Sequence, residues 1–269
     1  IEQQVANVRK TLGRKQRISG IGVAVPFELW KWAEQVDAPS GALDGWKSID
    51  VARELTRLTG LPALIANDAT AACGAELART ERTAAADFLY FYIGSFIGGG
   101  VVLNGQLFAG RTGNAGALGS MPIELKGQRS QLIEHASLIT LEQALAKRHA
   151  DVAILQMPER DWSALGQPLK RWITATAEAL AIATVSAVSV IDFQRVCIDG
   201  ALPRDVLAAI VEATRAKVAL MDLQGLSPFE VVAGSAGADA RAIGGAMLPI
   251  LANYSSDPDV LLKALPTPA

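Results

Sequence analysis

The chain has 269 residues, half of them apolar, with 25 Lys and Arg side chains against 27 Asp and Glu. That length supports one large or two medium domains. A net charge of -2, with no basic run beyond Arg9-Lys10 and Arg14-Lys15, excludes an electrostatic DNA-binding module within these residues. The two cysteines, Cys73 and Cys197, stand in apolar segments, which excludes a disulfide framework and fits a reduced, cytoplasmic setting.

In chain order, residues 1–12 have helical spacing (Ile1, Val5, Val8, Leu12), and residues 18–25 read as a buried strand ended by Pro26. Residues 27–46 form an irregular loop whose Trp30, Trp32 and Trp46 serve packing before any ligand stacking. A helix over 49–58 closed by Gly60, a strand over 63–66 and a helix over 69–78 follow. Strands come next at 88–93, 101–103 and 107–108, with Asn104-Gly105 as a hairpin turn. Helices are expected at 130–148 and 168–190, a strand at 196–198, a helix at 203–219, a strand at 230–232 and a last helix at 237–252. The longest apolar stretch, 177–191, is interrupted by Glu178, Thr184, Ser186 and Ser189. It is shorter than the ~20 residues of a membrane span and predicts a buried helix.

Three antiparallel strands followed by two parallel ones, with helices between, make a complete ribonuclease-H-like lobe over 87–245. Residues 1–86 supply only two strands, whose open edges a soluble protein would cover. This smaller first lobe is therefore expected to be incomplete, lacking its N-terminal hairpin, and to be joined by C-terminal helical residues 246–262. No signal peptide opens the chain. Ile1 stands where Met would begin a natural chain, so further residues are expected upstream.

The residues able to carry chemistry follow the strand at 63–66. Asn67-Asp68 forms a strand-to-helix corner, where Asn or Asp ordinarily caps the helix and where a carboxylate can also take a proton from a hydroxyl. Two glycine-rich turns come later, Gly94-Ser95-Phe96-Ile97-Gly98-Gly99-Gly100 and Gly113-Asn114-Ala115-Gly116-Ala117-Leu118-Gly119. Backbone amides in such turns can approach phosphate. Glu134, in Leu132-Ile133-Glu134-His135, suits a helix start on dipole grounds. His135 and His149 are the only histidines, too few for a metal cluster. There is no Gly-x-Ser-x-Gly elbow, which argues against a hydrolase. Gly20-Ile21-Gly22 lies inside a strand and is no dinucleotide fingerprint.

A carboxylate corner, then a glycine hairpin, then a Gly-Asn loop resembles the ROK family of bacterial sugar kinases and sugar-responsive repressors, which share an actin-like two-lobed α/β fold. The resemblance runs from residue 18 to about residue 249. It implies that Asn67, Asp68, Asn114 and Glu134 bind sugar, that Asp68 would be the catalytic base of a kinase, and that Gly94, Ser95, Gly98, Gly99 and Gly100 correspond to a phosphate loop. Against the family pattern, Phe96 replaces a glycine of that loop, and Ala117 and Ser120 replace a sugar-binding glutamate and a histidine shared by sugar and zinc. Residues 122–134 contain no cysteine, so the family's zinc motif is missing. Asp199 replaces a glycine under the adenosine, adding bulk and charge where a nucleotide would lie. Nor does any Asp-x-Gly-x-Thr phosphate loop occur.

These departures make the phosphate loop vestigial and point to the sugar-sensing effector domain of a ROK-type transcriptional regulator. The corresponding expectations are no metal, no cofactor, no membrane, DNA contacted through an N-terminal domain outside this chain, and a homodimer or higher homo-oligomer. The alternative is an ATP- and Mg-dependent sugar kinase with Asp68 as base. An actin-like scaffold binding neither ligand comes third.

Overall fold

The computed structural model of the protein describes residues 1–12, 16–26, 30, 39, 41–80 and 87–254. Trp32, Arg14-Lys15 and residues 255–262 of the expected C-terminal helix lie outside the described residues.

Helix α1 (Glu2–Thr11) precedes strand β1 (Ile21–Val25), which runs parallel to β2 (Ala63–Asn67) with Ile21 opposite Ala63 and Val25 opposite Asn67. The strand expected from residue 18 starts at Ile21, whose N–H donates to the Pro62 carbonyl. Between the strands, α2 (Val51–Thr59) begins two residues later than expected because the Asp50 side chain accepts the Arg53 N–H as its cap. It ends at Gly60 in the left-handed region (φ 68°), the conformation glycine adopts without a Cβ penalty. Helix α3 (Asp68–Arg79) follows β2 with no intervening loop.

The second sheet has the order β5-β4-β3-β8-β9. Strands β3 (Phe88–Ile93), β4 (Ile97–Leu103) and β5 (Gln106–Leu107) are antiparallel; β8 (Arg195–Gly200) and β9 (Glu230–Ala233) add parallel to β3. This is the three-plus-two arrangement the sequence predicts. Strand β3 is buried on both faces, as alternation along a central strand requires. Leu89, Phe91 and Ile93 enter the core that also holds residues of α6 (Gln167–Val190) and α7 (Arg204–Val218), while Phe88, Tyr90 and Tyr92 join Cys73 of α3 and Ala240. The turn between β4 and β5 has positive φ at both Asn104 (53°) and Gly105 (70°), the twist-matched hairpin geometry.

Three departures change the pattern of elements itself. Strand β4 begins at Ile97, not residue 101, so Gly98, Gly99 and Gly100 are strand residues opposite Tyr92, Phe91 and Tyr90. Residues 122–131 form a hairpin, β6 (Pro122–Leu125) with β7 (Gln128–Gln131), turned at Lys126 and Gly127, both with positive φ. The helix expected over 130–148 is two, α4 (Ile133–Ala136) and α5 (Leu138–Ala146), broken by extended backbone at Ser137.

Helix α6 spans 24 residues and is long and apolar enough to cross a bilayer, with mean hydropathy 1.6 over an 18-residue window, which corrects the shorter stretch read from the sequence. Its Trp172, Leu180, Ala183 and Val188 nonetheless sit in the core beside residues of α5 and α7. The last described helix, α8 (Ala240–Tyr254), packs on α3 and β1. Close approach there requires glycine: a Cβ on Gly244 would lie 1.8 Å from the Ala71 carbonyl oxygen, and one on Gly22 would lie 1.6 Å from that of Gly245.

Candidate functional site

Asn67 is the cap of α3. Its Oδ1 accepts the N–H groups of Ala69 (3.0 Å) and Thr70 (3.2 Å), satisfying two of the helix's orphan donors. The capping role that the sequence allowed for Asp68 therefore belongs to its neighbour. Asp68 is the first helical residue, with Oδ1 accepting the Ala69 N–H (2.9 Å) and Oδ2 lying 3.5 Å from Nη1 of Arg241 in α8. The Asp68 side chain is 20% exposed and that of Arg241 42%. The guanidinium also lies over the Tyr92 ring, 5.4 Å from its centroid. Burial raises the Tyr92 phenol above its ordinary pKa, with Arg241 pulling the other way.

The glycine turn meets this corner at Gly98, where an added Cβ would come within 2.8 Å of the Ala69 methyl. One at Gly100 would lie 2.5 Å from Cys73 Cβ. Those two glycines let α3 lie directly on β4. Gly99 faces the other side, against Leu118. The turn proper, Gly94 to Phe96, is bound to the start of α5: the Gly94 and Ser95 carbonyls accept the N–H groups of Leu138 (3.0 Å) and Ile139 (3.1 Å). The Ile97 N–H donates to Ser137 Oγ (3.0 Å). Part of the polar backbone of this turn is therefore already matched within the protein.

The Gly-Asn loop runs along the same strand. Gly116, at φ 82°, fits so closely that a Cβ would stand 2.6 Å from Gly100 Cα. Asn114, Ala117 and Ser120 are exposed. Glu134 turns back on its own corner, Oε1 accepting the Gln131 N–H at 2.7 Å, and it lines a groove between α5 and α6. The structure thus joins Asn67 and Asp68 to the glycine strand and sets the Asn114 loop along that strand, while Glu134 serves the β7–α4 junction.

Asp199 does not project charge into open space as expected. It is fully buried, accepting Tyr90 Oη–H (3.1 Å) and the N–H groups of Gly200 (2.9 Å) and Gly237 (2.8 Å). Burial pushes its carboxyl above the ordinary aspartate pKa, and the three donors oppose that shift. Glu76, also buried, accepts the Ser235 N–H and Oγ–H and the Ala236 N–H. Arg204 donates to the carbonyls of Gly234 (2.8 Å) and Ser235 (2.9 Å). Two carboxylates and a guanidinium thereby clamp the turn leading into α8. Arg241, Glu76 and Arg204 were missed at the sequence level; an arginine just past Gly237-Ala238-Asp239 was the one visible hint.

The sequence profile of the ROK family matches residues 1–251. The chain is 29% identical to the xylose repressor of Bacillus subtilis over 110 residues, 41% of this chain and 28% of the repressor. It is 32% identical to a beta-glucoside kinase of Listeria monocytogenes over 126 residues, 47% of this chain and 42% of the kinase. It therefore spans less than half the length of either relative. Among solved structures, a ROK family protein from Streptococcus pneumoniae in complex with sucrose superposes with a TM-score of 0.61 at 20% identity, covering 94% of this chain and 87% of the other, which shows the actin-like fold.

Proposed function

The chain belongs to the ROK family, and on that premise we propose that it is the sugar-sensing part of a cytoplasmic transcriptional regulator. A small carbohydrate binds at the corner formed by Asn67, Asp68 and the Asn114 loop, with Glu134 reaching it after turning from Gln131. By binding one arrangement of the two sheets better than another, the sugar shifts their population and so the behaviour of a DNA-binding domain outside these residues. The assembly is a homodimer or higher homo-oligomer.

The observation that carries this reading is the pairing of Asp68 with Arg241 at 3.5 Å. A general base needs an oxygen open to the proton it takes, and the Arg241 guanidinium stands beside the Asp68 oxygen that accepts no backbone N–H. Two further features support the loss of nucleotide: the Ile97 amide is engaged by Ser137, and the turn at 234–237 is seated on Asp199. No cofactor or metal is then needed.

A kinase using ATP and Mg is the competing reading, favoured by the partial exposure of Asp68 at a helix start and by the likeness to a beta-glucoside kinase. A coupled assay of the full-length protein with ATP, Mg and a panel of hexoses, pentoses and amino sugars separates the two. Activity at background together with saturable sugar binding is the expected result. Turnover above about 1 s⁻¹, the low end for enzymes, establishes the kinase instead.

A further inference from the structure

We propose that the groove between α5 and α6 is a binding site for a phosphate-bearing small molecule. Its volume is about 430 Å³, within the range of small-molecule sites. Thr140, Gln143, Ala144 and Lys147 line one wall, and Pro168, Arg171, Trp172 and Ala175 the other. Each set has the i, i+3, i+4, i+7 spacing of a single helix face, so the groove is built by two regular elements.

Lys147, Arg148 and Arg171 all line this one cavity. Elsewhere some described basic side chains have partners, as in Lys217 with Glu178, Arg57 with Glu54 and Arg204 with the 234–235 carbonyls, while others, such as Lys126, Arg160 and Lys170, stand singly outside the groove. Among the described residues Lys147, Arg148 and Arg171 form neither an ion pair nor a side-chain hydrogen bond, and each is exposed. Glu134 is the one carboxylate on the lining, and its Oε1 is already engaged by the Gln131 N–H. His135 Nε2 is held by Ser130 Oγ at 2.7 Å.

The helix dipole accounts for Lys147 and Arg148 at the carboxyl end of α5. It does not account for Arg171, which stands near the amino end of a helix whose first turn has no acid. What sets the three apart is that they share one groove, where a single anion would partner them all. A phosphate group fits their chemistry: the arginine fork can grip two of its oxygens while lysine adds a point charge. The overall charge of -2 and the small volume of the groove favour a small anion over an extended nucleic acid.

The floor of the groove connects to the glycine turn. Buried Trp172 donates its Nε1–H to the Ser137 carbonyl (3.1 Å) and to Thr140 Oγ1 (3.1 Å). Ser137 Oγ in turn holds the Ile97 N–H. An occupant of the groove would thus bear on the segment that flanks Asp68.

Calorimetry on the full-length protein at low salt tests the site with two probes, inorganic pyrophosphate and glucose 6-phosphate, with glucose as the uncharged control. Saturable binding of at least one phosphate is expected, weakening as salt is raised. The double substitution Lys147→Ala, Arg171→Ala should lower its affinity by about tenfold or more, whereas Arg171→Lys should retain most of it. Arg160→Ala, an exposed cation outside the groove, should change nothing. Tighter binding of glucose 6-phosphate identifies an organic phosphate, and binding of pyrophosphate alone an inorganic one; either supports the site. Absence of saturable binding overturns it, as does equal affinity in wild type and double variant, or equal loss in the Arg160→Ala control.

Discussion

Asp68 and Asp199 both stand at the end of a parallel strand, yet their surroundings are opposite. Asp199 accepts two backbone N–H groups and a tyrosine hydroxyl, has Arg204 Nη1 farther off at 3.9 Å, and sees no solvent. Asp68 keeps one oxygen toward a half-exposed guanidinium at 3.5 Å, too long for a good hydrogen bond. A carboxylate whose lone pairs are used inside the fold is architecture. One with a loosely held oxygen near the surface can still exchange its partner for a ligand hydroxyl.

The largest effect that should separate the two is on stability. Asp199→Ala would strand the Tyr90 hydroxyl and the Gly200 and Gly237 amides, and at the usual cost of buried unpaired donors should lower unfolding free energy by about 3–5 kcal/mol. Denaturant titration reads this directly, and a loss near zero would put Asp199 on the same footing as Asp68. Conversely, Asp68→Ala should leave the melting curve almost unchanged while weakening sugar affinity by roughly ten- to a hundredfold, at about 1.4 kcal/mol per decade. Equal sugar binding by that variant would reduce Asp68 to a surface ion pair. Asn67→Ala removes the side chain that caps α3 and should cost about 1 kcal/mol in stability.

The smallest effect is the sharpest chemically. Because burial raises the Asp199 pKa above its unfolded value, the folded state holds this proton more tightly. Its contribution to folding is greatest below the unfolded pKa and is lost as pH rises through the raised one. The stability of wild type relative to Asp199→Asn should therefore increase as pH is lowered from neutral toward the ordinary aspartate range. A gap that narrows on acidification would mean that the hydrogen bonds outweigh burial.

What could be read from sequence depended on how far apart the partners lie. The six-residue apolar run of β3 and the Asn104-Gly105 turn are local signals, and the order of the large sheet followed from them. The β6–β7 hairpin was missed because its turn is Lys126-Gly127, with no Asn or Asp to mark the positive φ of the first residue. Gly98, Gly99 and Gly100 looked like a loop because glycine is poor in strands; only the packing of α3 reveals why it is tolerated there. Glu76 meets Ser235 across 159 residues, and Arg241 reaches Asp68 from the other end of the chain. Neither pairing leaves a mark on neighbouring sequence. Likewise Asp199 could be placed at a nucleotide position by resemblance, but the direction of its carboxylate depends on Tyr90 and Gly237, which only the fold brings close.

The glycines of β4 have a mechanical consequence. Where α3 lies on the large sheet, Gly98 and Gly100 face Ala69 and Cys73, so at these two positions the sheet carries no ridge. What holds α3 in register is Glu76, bound to the 235–236 turn; with those bonds released, displacement of α3 across the sheet would be a shear with little corrugation at these positions to oppose it. Because α8 sits backbone to backbone on both α3 and β1, these elements would travel together, like a carriage on a rail. A single methyl at Gly98, only 2.8 Å from that of Ala69, would act as a stop on that rail.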